Sequence, residues 1–154
     1  MKLIIAVIII FGLLVGYLQY NPSYKLSIEA KYYYTIGEYK IAYEIADKSL
    51  RLREYNTMAF HIKTRSGATI EVINFNKEAE EFLAKIKIII SKSNIARSDK
   101  LRSKMMSDVI ISKYYQLKLP LVDDDTIEQT ALKFFIKFKK INQQVIESLK
   151  PRNE

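Results

Sequence analysis

Cysteine is absent from the 154 residues, and glycine and proline number only four and three. Without cysteine there is no disulfide, no thiolate metal ligand, no cysteine nucleophile and no acylated lipoprotein cysteine. The four glycines, at 12, 16, 37 and 67, cannot form a phosphate-cradling loop. So little punctuation disfavours hairpins, and the chain reads as long helices with short connections. The single histidine, His61, lies beside Phe60 with no second ligand or nucleophile nearby in sequence. Neither a metal site nor a Ser–His pair is indicated. The run "DDD" at 123–125 lacks the spaced oxygens and glycine of a calcium loop. The chain is therefore read as non-enzymatic, with no catalytic, metal or cofactor-binding residue and no cofactor.

What is present is a foldable balance of 49% hydrophobic and 27% charged residues with a net charge of +8. The basic excess is dispersed and interleaved with acids, which reads as a solvated lysine-rich surface. Binding of nucleic acid or anionic lipid by a cytoplasmic face stays open as the alternative, with nucleic acid disfavoured.

The segment "LIIAVIIIFGLLVGYL", residues 3–18, carries no charged side chain. As a helix it spans roughly 24 Å at about 1.5 Å per residue, within reach of a single membrane crossing. Tyr17 and Tyr20 stand where interfacial aromatics belong. A cleaved signal peptide would need small residues at its −3 and −1 positions, and Leu14 with Gly16 is a poor site. Residues 1–20 are therefore read as an uncleaved anchor that contacts the bilayer through residues 3–20. The expected location is the inner (cytoplasmic) membrane, single-pass, with the C-terminal domain periplasmic. Usage rich in Ile, Lys, Asn and Tyr resembles that of a low-GC bacterium.

The remainder, 21–154, is expected to be one all-α domain. Asn21-Pro22 caps a helix over 22–36, and Gly37 makes the turn into a helix over 38–53. Residues 57–73 read as helix broken near Gly67, although "ATIEVINF" also suits a strand. Asn76 caps a helix over 76–92, with Ala79, Phe82, Leu83, Ile86, Ile89 and Ile90 as its buried stripe. Ser98 caps a helix over 98–118 whose apolar face holds Leu101, Met105 and Val109. Asp125, with Glu128 three residues on, starts a helix over 126–149. Its apolar positions Ala131, Phe134, Phe138, Ile141, Val145 and Leu149 recur in steps of three and four, close to a heptad seam. That seam suits packing on neighbouring helices, and it is also the candidate interaction surface for a partner or a second copy.

"GEYKIAYEIADKSL", residues 37–50, resembles the second helix of a tetratricopeptide repeat. Gly37, Tyr39, Ala42, Ser49 and Leu50 match that pattern, and Leu26, Ala30 and Tyr33 match its first helix. Glu29, Ala46 and Glu54 depart from it, and Glu71 stands where a second copy would place its glycine. The resemblance covers about residues 23–56. It implies a bundle or solenoid of antiparallel helices, with Leu26, Ala30, Tyr33, Gly37, Tyr39, Ala42, Ala46, Ser49 and Leu50 packing one pair. It further implies a scaffold that binds protein partners in a membrane-associated complex. A subunit of a flagellar motor or secretion apparatus is the expected role, with a small self-associating membrane protein as the rival.

Overall fold

A computed structural model describes residues 2–150, without the side chains at 2, 3, 8, 11, 14, 15 and 17–19. The described residues hold six α-helices and one 3-10 turn, and no strand. They are α1 (Lys2–Tyr20), α2 (Pro22–Thr35), α3 (Tyr39–Leu52), α4 (Thr57–Ile90), α5 (Arg97–Tyr114), the turn Leu119–Leu121 and α6 (Asp125–Leu149). The fold is all-α. The chain divides into two compact units, Met1–Gly67 and Ala68–Glu154, and α4 contributes to both.

In the first unit, α2 and α3 pair through small side chains. Ala30, Ala42, Ala46 and Ala59 are fully buried and meet Ile62, with Tyr33, Tyr34, Ile45, Leu50 and Met58 packed around them. Alanine at facing positions lets helix axes approach the short end of the usual roughly 8–10 Å spacing. The turn between the helices is built on Gly37, at φ +83°. Its N–H donates to Tyr34 O at 3.2 Å, and the Glu38 N–H donates to Tyr33 O at 2.9 Å. That pair of bonds is a Schellman motif, which needs a left-handed residue at the position Gly37 fills. Asn21 stands at the α2 N-cap, but its side chain makes no capping bond. Its carbonyl accepts from Tyr24 and Lys25 N–H at 3.0 and 3.3 Å.

Helix α4 corrects two expected breaks. It runs 34 residues without interruption at Gly67 or Asn76, and "ATIEV" is helix. The reason is a continuous buried stripe, Ala59, Ile62, Ser66, Thr69, Val72, Phe75, Ala79, Leu83, Ile86 and Ile89, at helical spacing throughout. Gly67 lies under the Tyr43 ring, and a Cβ added to it would lie 3.3 Å from Tyr43 Cε2. Asn76 caps nothing and instead donates to Ile127 O at 3.1 Å.

The second unit is a three-helix core. Val72, Phe75, Leu83, Ile86 and Ile89 of α4 meet Met106 and Ile110 of α5, Val122 after the turn, and Ala131 and Phe138 of α6. Burying a ring such as Phe138 contributes about 1.5–3 kcal/mol. Helix α5 begins at Arg97 with Ala96 at its cap position, so Ser98 is not the cap. Helix α6 is capped one residue earlier than expected. Asp124 Oδ1, not Asp125, accepts from Thr126 and Ile127 N–H at 3.0 and 3.2 Å.

Among the described residues, no helix is long and apolar enough to cross a membrane. The expected anchor draws on Leu3, Ile8, Phe11, Leu14, Val15, Tyr17 and Leu18, whose side chains lie outside the described set.

Candidate interaction surface

The residues read from the sequence as a helix-pairing set come together in the first unit. Ala30, Ala42, Ala46 and Ser49 are fully buried. Tyr33 and Leu50 pack on their rim, and Leu26 is half-buried. Tyr39 stands edge-on to Tyr34, with ring centroids 5.4 Å apart. Gly37 is exposed in the turn between the two helices.

Beside it lies a polar junction that periodicity did not reveal. Ser23 near the start of α2, Ser49 near the end of α3 and Asn56 at the cap of α4 are all buried. Ser49 Oγ donates to Ser23 O at 2.7 Å, and Ser23 Oγ donates to Ser49 O at 3.0 Å. Asn56 Nδ2 donates to both hydroxyl oxygens, at 2.9 and 3.2 Å, while its Oδ1 accepts from Ala59 N–H at 3.2 Å. Each hydroxyl has a backbone carbonyl as acceptor, the two hydroxyl oxygens lie 3.1 Å apart, and each receives the amide. The signal available in sequence was Asn56 standing immediately before "TMAF", a capping residue at a helix start.

At the surface of this unit, Asp47 takes Lys63 Nζ at 2.6 Å and Arg51 at 2.9 Å. The Lys63 hydrogen bond foremost, then that from Arg51, holds the Asp47 carboxyl below its ordinary value despite some desolvation. The same contact holds Lys63 above its own.

In the second unit, α5 and α6 run antiparallel in a register fixed by three contacts. Lys100 Nζ donates to Ser148 O at 3.1 Å, Asn142 Nδ2 donates to Asp108, and the Tyr114 and Phe135 rings stack at 4.2 Å. The α6 seam faces inward. Ala131 and Phe138 are fully buried, Phe134 and Ile141 pack against the core, and Val145 and Leu149 are half-buried. The seam thus serves packing within its own unit. At its far end, Ile141 and Val145 join Ile86, Ile89, Ile90 and Ile95 in lining a groove of about 280 Å³ with Lys100 at its edge.

The open apolar surface lies elsewhere. Helix α5 buries Ser103, Met106, Ser107 and Ile110. Leu101, Met105 and Val109, its expected apolar face, point outward and are 45%, 67% and 41% exposed. These three positions at i, i+4 and i+8 form one stripe along the helix. The register brings Ile146 of α6, also exposed, to the Leu101 end of that stripe. Arg97 and Arg102 flank the stripe on α5, and Lys139 flanks it on α6 with its Nζ 5.5 Å from the Phe135 ring centroid. Lys104 Nζ holds Asp108 at 2.7 Å. Burial pushes the Asp108 carboxyl up, but hydrogen bonds from Lys104 and Asn142 outweigh it and leave the group below its ordinary value.

His61 is exposed, with its ring 6.0 Å from that of Phe60. Among the described residues, no three His, Asp or Glu side chains gather to hold a metal. No protein-family model, curated protein or solved structure matches this chain.

Proposed function

We propose that the chain is a membrane-anchored, non-catalytic scaffold or adaptor subunit of a bacterial envelope assembly, acting by protein–protein contact. The observation that carries this reading is the surface of α1. Ile4, Ile5, Val7, Ile9, Ile10 and Leu13 are each more than half exposed. At 100° per residue those positions point in every direction around the helix. Residues 3–18 contain no charged side chain to share that surface. Exposed apolar side chains on every side of a helix favour a hydrophobic surrounding. Its 19 residues rise about 28 Å.

The tetratricopeptide-like reading is supported by the α2–α3 pair, its glycine turn and its alanine contacts. A protein-binding role is supported by the exposed stripe on α5, because large apolar side chains aligned on one face mark a contact surface. Tethering then raises the concentration of that surface near a membrane-bound partner. The domain is proposed to face outward from the cytoplasmic membrane.

Fractionation tests the anchor. The protein is expected in the membrane pellet after high salt and alkaline carbonate, with residues 1–20 still present on the mature chain. Release by carbonate, or a soluble mature form beginning near residue 20, overturns the reading.

A further inference from the structure

Helix α5 is amphipathic twice over. One side closes the core of the second unit, and the opposite side carries Leu101, Met105 and Val109 into solvent. Leu101 to Val109 covers about 12 Å, a little over two helical turns. With Ile146 alongside, the surface has the length and shape of a shallow seat for one more helix.

Charge selects among occupants. The seat is bordered by Arg97, Arg102 and Lys139. Three more cations beside it are engaged, Lys100 with Ser148 O, Lys104 with Asp108 and Lys113 with Glu78. A second copy of this chain would bring the same three cations against themselves, and like charges across an interface oppose association. Asp108, three residues on from Met105 and half-exposed, also borders the stripe but is engaged by Lys104 and Asn142. A helix with an apolar stripe and acidic flanks satisfies the apolar and basic parts together. We propose that the Leu101–Met105–Val109 face of α5 docks an acidic amphipathic helix of a partner protein. This rests on the scaffold reading above and gives it a surface and a partner chemistry.

The test uses the full chain in a nonionic detergent, so its outcome does not depend on the membrane reading. The probes are two fluorescent helical peptides, each about five turns long with leucines at heptad spacing. One carries glutamates on both flanks and the other lysines. The glutamate peptide should bind saturably and at least ten-fold tighter than the lysine peptide. Met105→Glu should weaken it at least ten-fold without moving the melting temperature, because Met105 is two-thirds exposed. The double change Arg97→Glu, Arg102→Glu should transfer the preference to the lysine peptide, a swap that loss of folding cannot produce. Equal binding of both peptides, or indifference to Met105→Glu, overturns the proposal. So does a Met105→Glu loss confined to phosphatidylglycerol vesicles, which would make the stripe a lipid face. Loss of a chain dimer on the same substitution would instead assign the face to a second copy.

Discussion

Replacing Asn56 should separate a polar lock from an ordinary helix cap. Asn56 is 1% exposed and makes three hydrogen bonds, two through Nδ2 to Ser23 and Ser49 and one through Oδ1 to Ala59 N–H. Asn56→Ala removes a cap, about 1 kcal/mol, and two buried hydrogen bonds at about 0.5–1.5 kcal/mol each. The serine hydroxyls keep their carbonyl acceptors, and the Ala59 N–H that loses Oδ1 is the cap loss already counted, so the sum stays near 2–4 kcal/mol. For a domain of 60–100 residues that lowers the melting temperature by about 8–32 °C. Asn56→Asp is the informative comparison. As a bare cap it should be neutral or better, since a carboxylate at a helix N-terminus is favoured by about 0.3–1 kcal/mol. Here its second oxygen would face two hydroxyl oxygens in place of a donor's partners, and accepting a proton from either would take it from Ser49 O or Ser23 O. A buried carboxylate against two acceptors is costly, so Asn56→Asp should be worse than Asn56→Ala at neutral pH. Burial raises the folded pKa of the introduced carboxyl, so part of the loss should return as the pH falls and the acid protonates. Circular-dichroism melting at two pH values, with hydrogen exchange at the α2 and α3 amides, reads this directly. An Asn56→Asp variant as stable as the wild type at neutral pH would refute the lock.

Gly37→Val should cost at least about 1–2 kcal/mol, because φ +83° is left-handed and the residue is β-branched; Gly37→Asn should cost less, and thermal melting ranks them. Gly67→Ala should leave stability unchanged or raise it by up to about 1 kcal/mol, read by denaturant midpoint. The added Cβ meets only the partly exposed Tyr43 ring, which has room to shift. The Asp47 carboxyl is held below its ordinary value, so its contribution is complete above pH 3.8 and disappears as the pH falls below that. An acid titration of Asp47→Asn should therefore lack the part of the wild-type acid transition that belongs to this group.

The α2–α3 pair was readable because its determinants are local. Gly37 must be where a helix ends, and alanines at 30, 42 and 46 recur at helical spacing. The rest depended on partners that a linear pattern does not name. Gly67 reads as a break until Tyr43 is seen to occupy the space above it. Three consecutive aspartates at 123–125 offer several caps, and only the chain's entry into α6 selects Asp124. The buried face of α5 is not its evident apolar face, for a chemical reason. Ser103 Oγ donates to Asp99 O at 3.0 Å and Ser107 Oγ to Ser103 O at 2.9 Å, so these serines bury as small side chains with their polarity satisfied inside the helix. The buried face thus carries polar letters, and the more evident apolar stripe is the one left outside. In α6 the periodicity marked a face correctly as apolar, and the cover turned out to be the chain's own α4 and α5.

Whether α1 crosses a membrane is tested most directly by cysteine mapping, which the cysteine-free chain permits without background. Lys2→Cys and Ser98→Cys are introduced separately, and intact cells are treated with a membrane-impermeant maleimide before and after lysis. The expected result is labelling of Ser98→Cys before lysis and of Lys2→Cys only after it. Labelling of both positions in the same step would place them on one side and contradict the anchor.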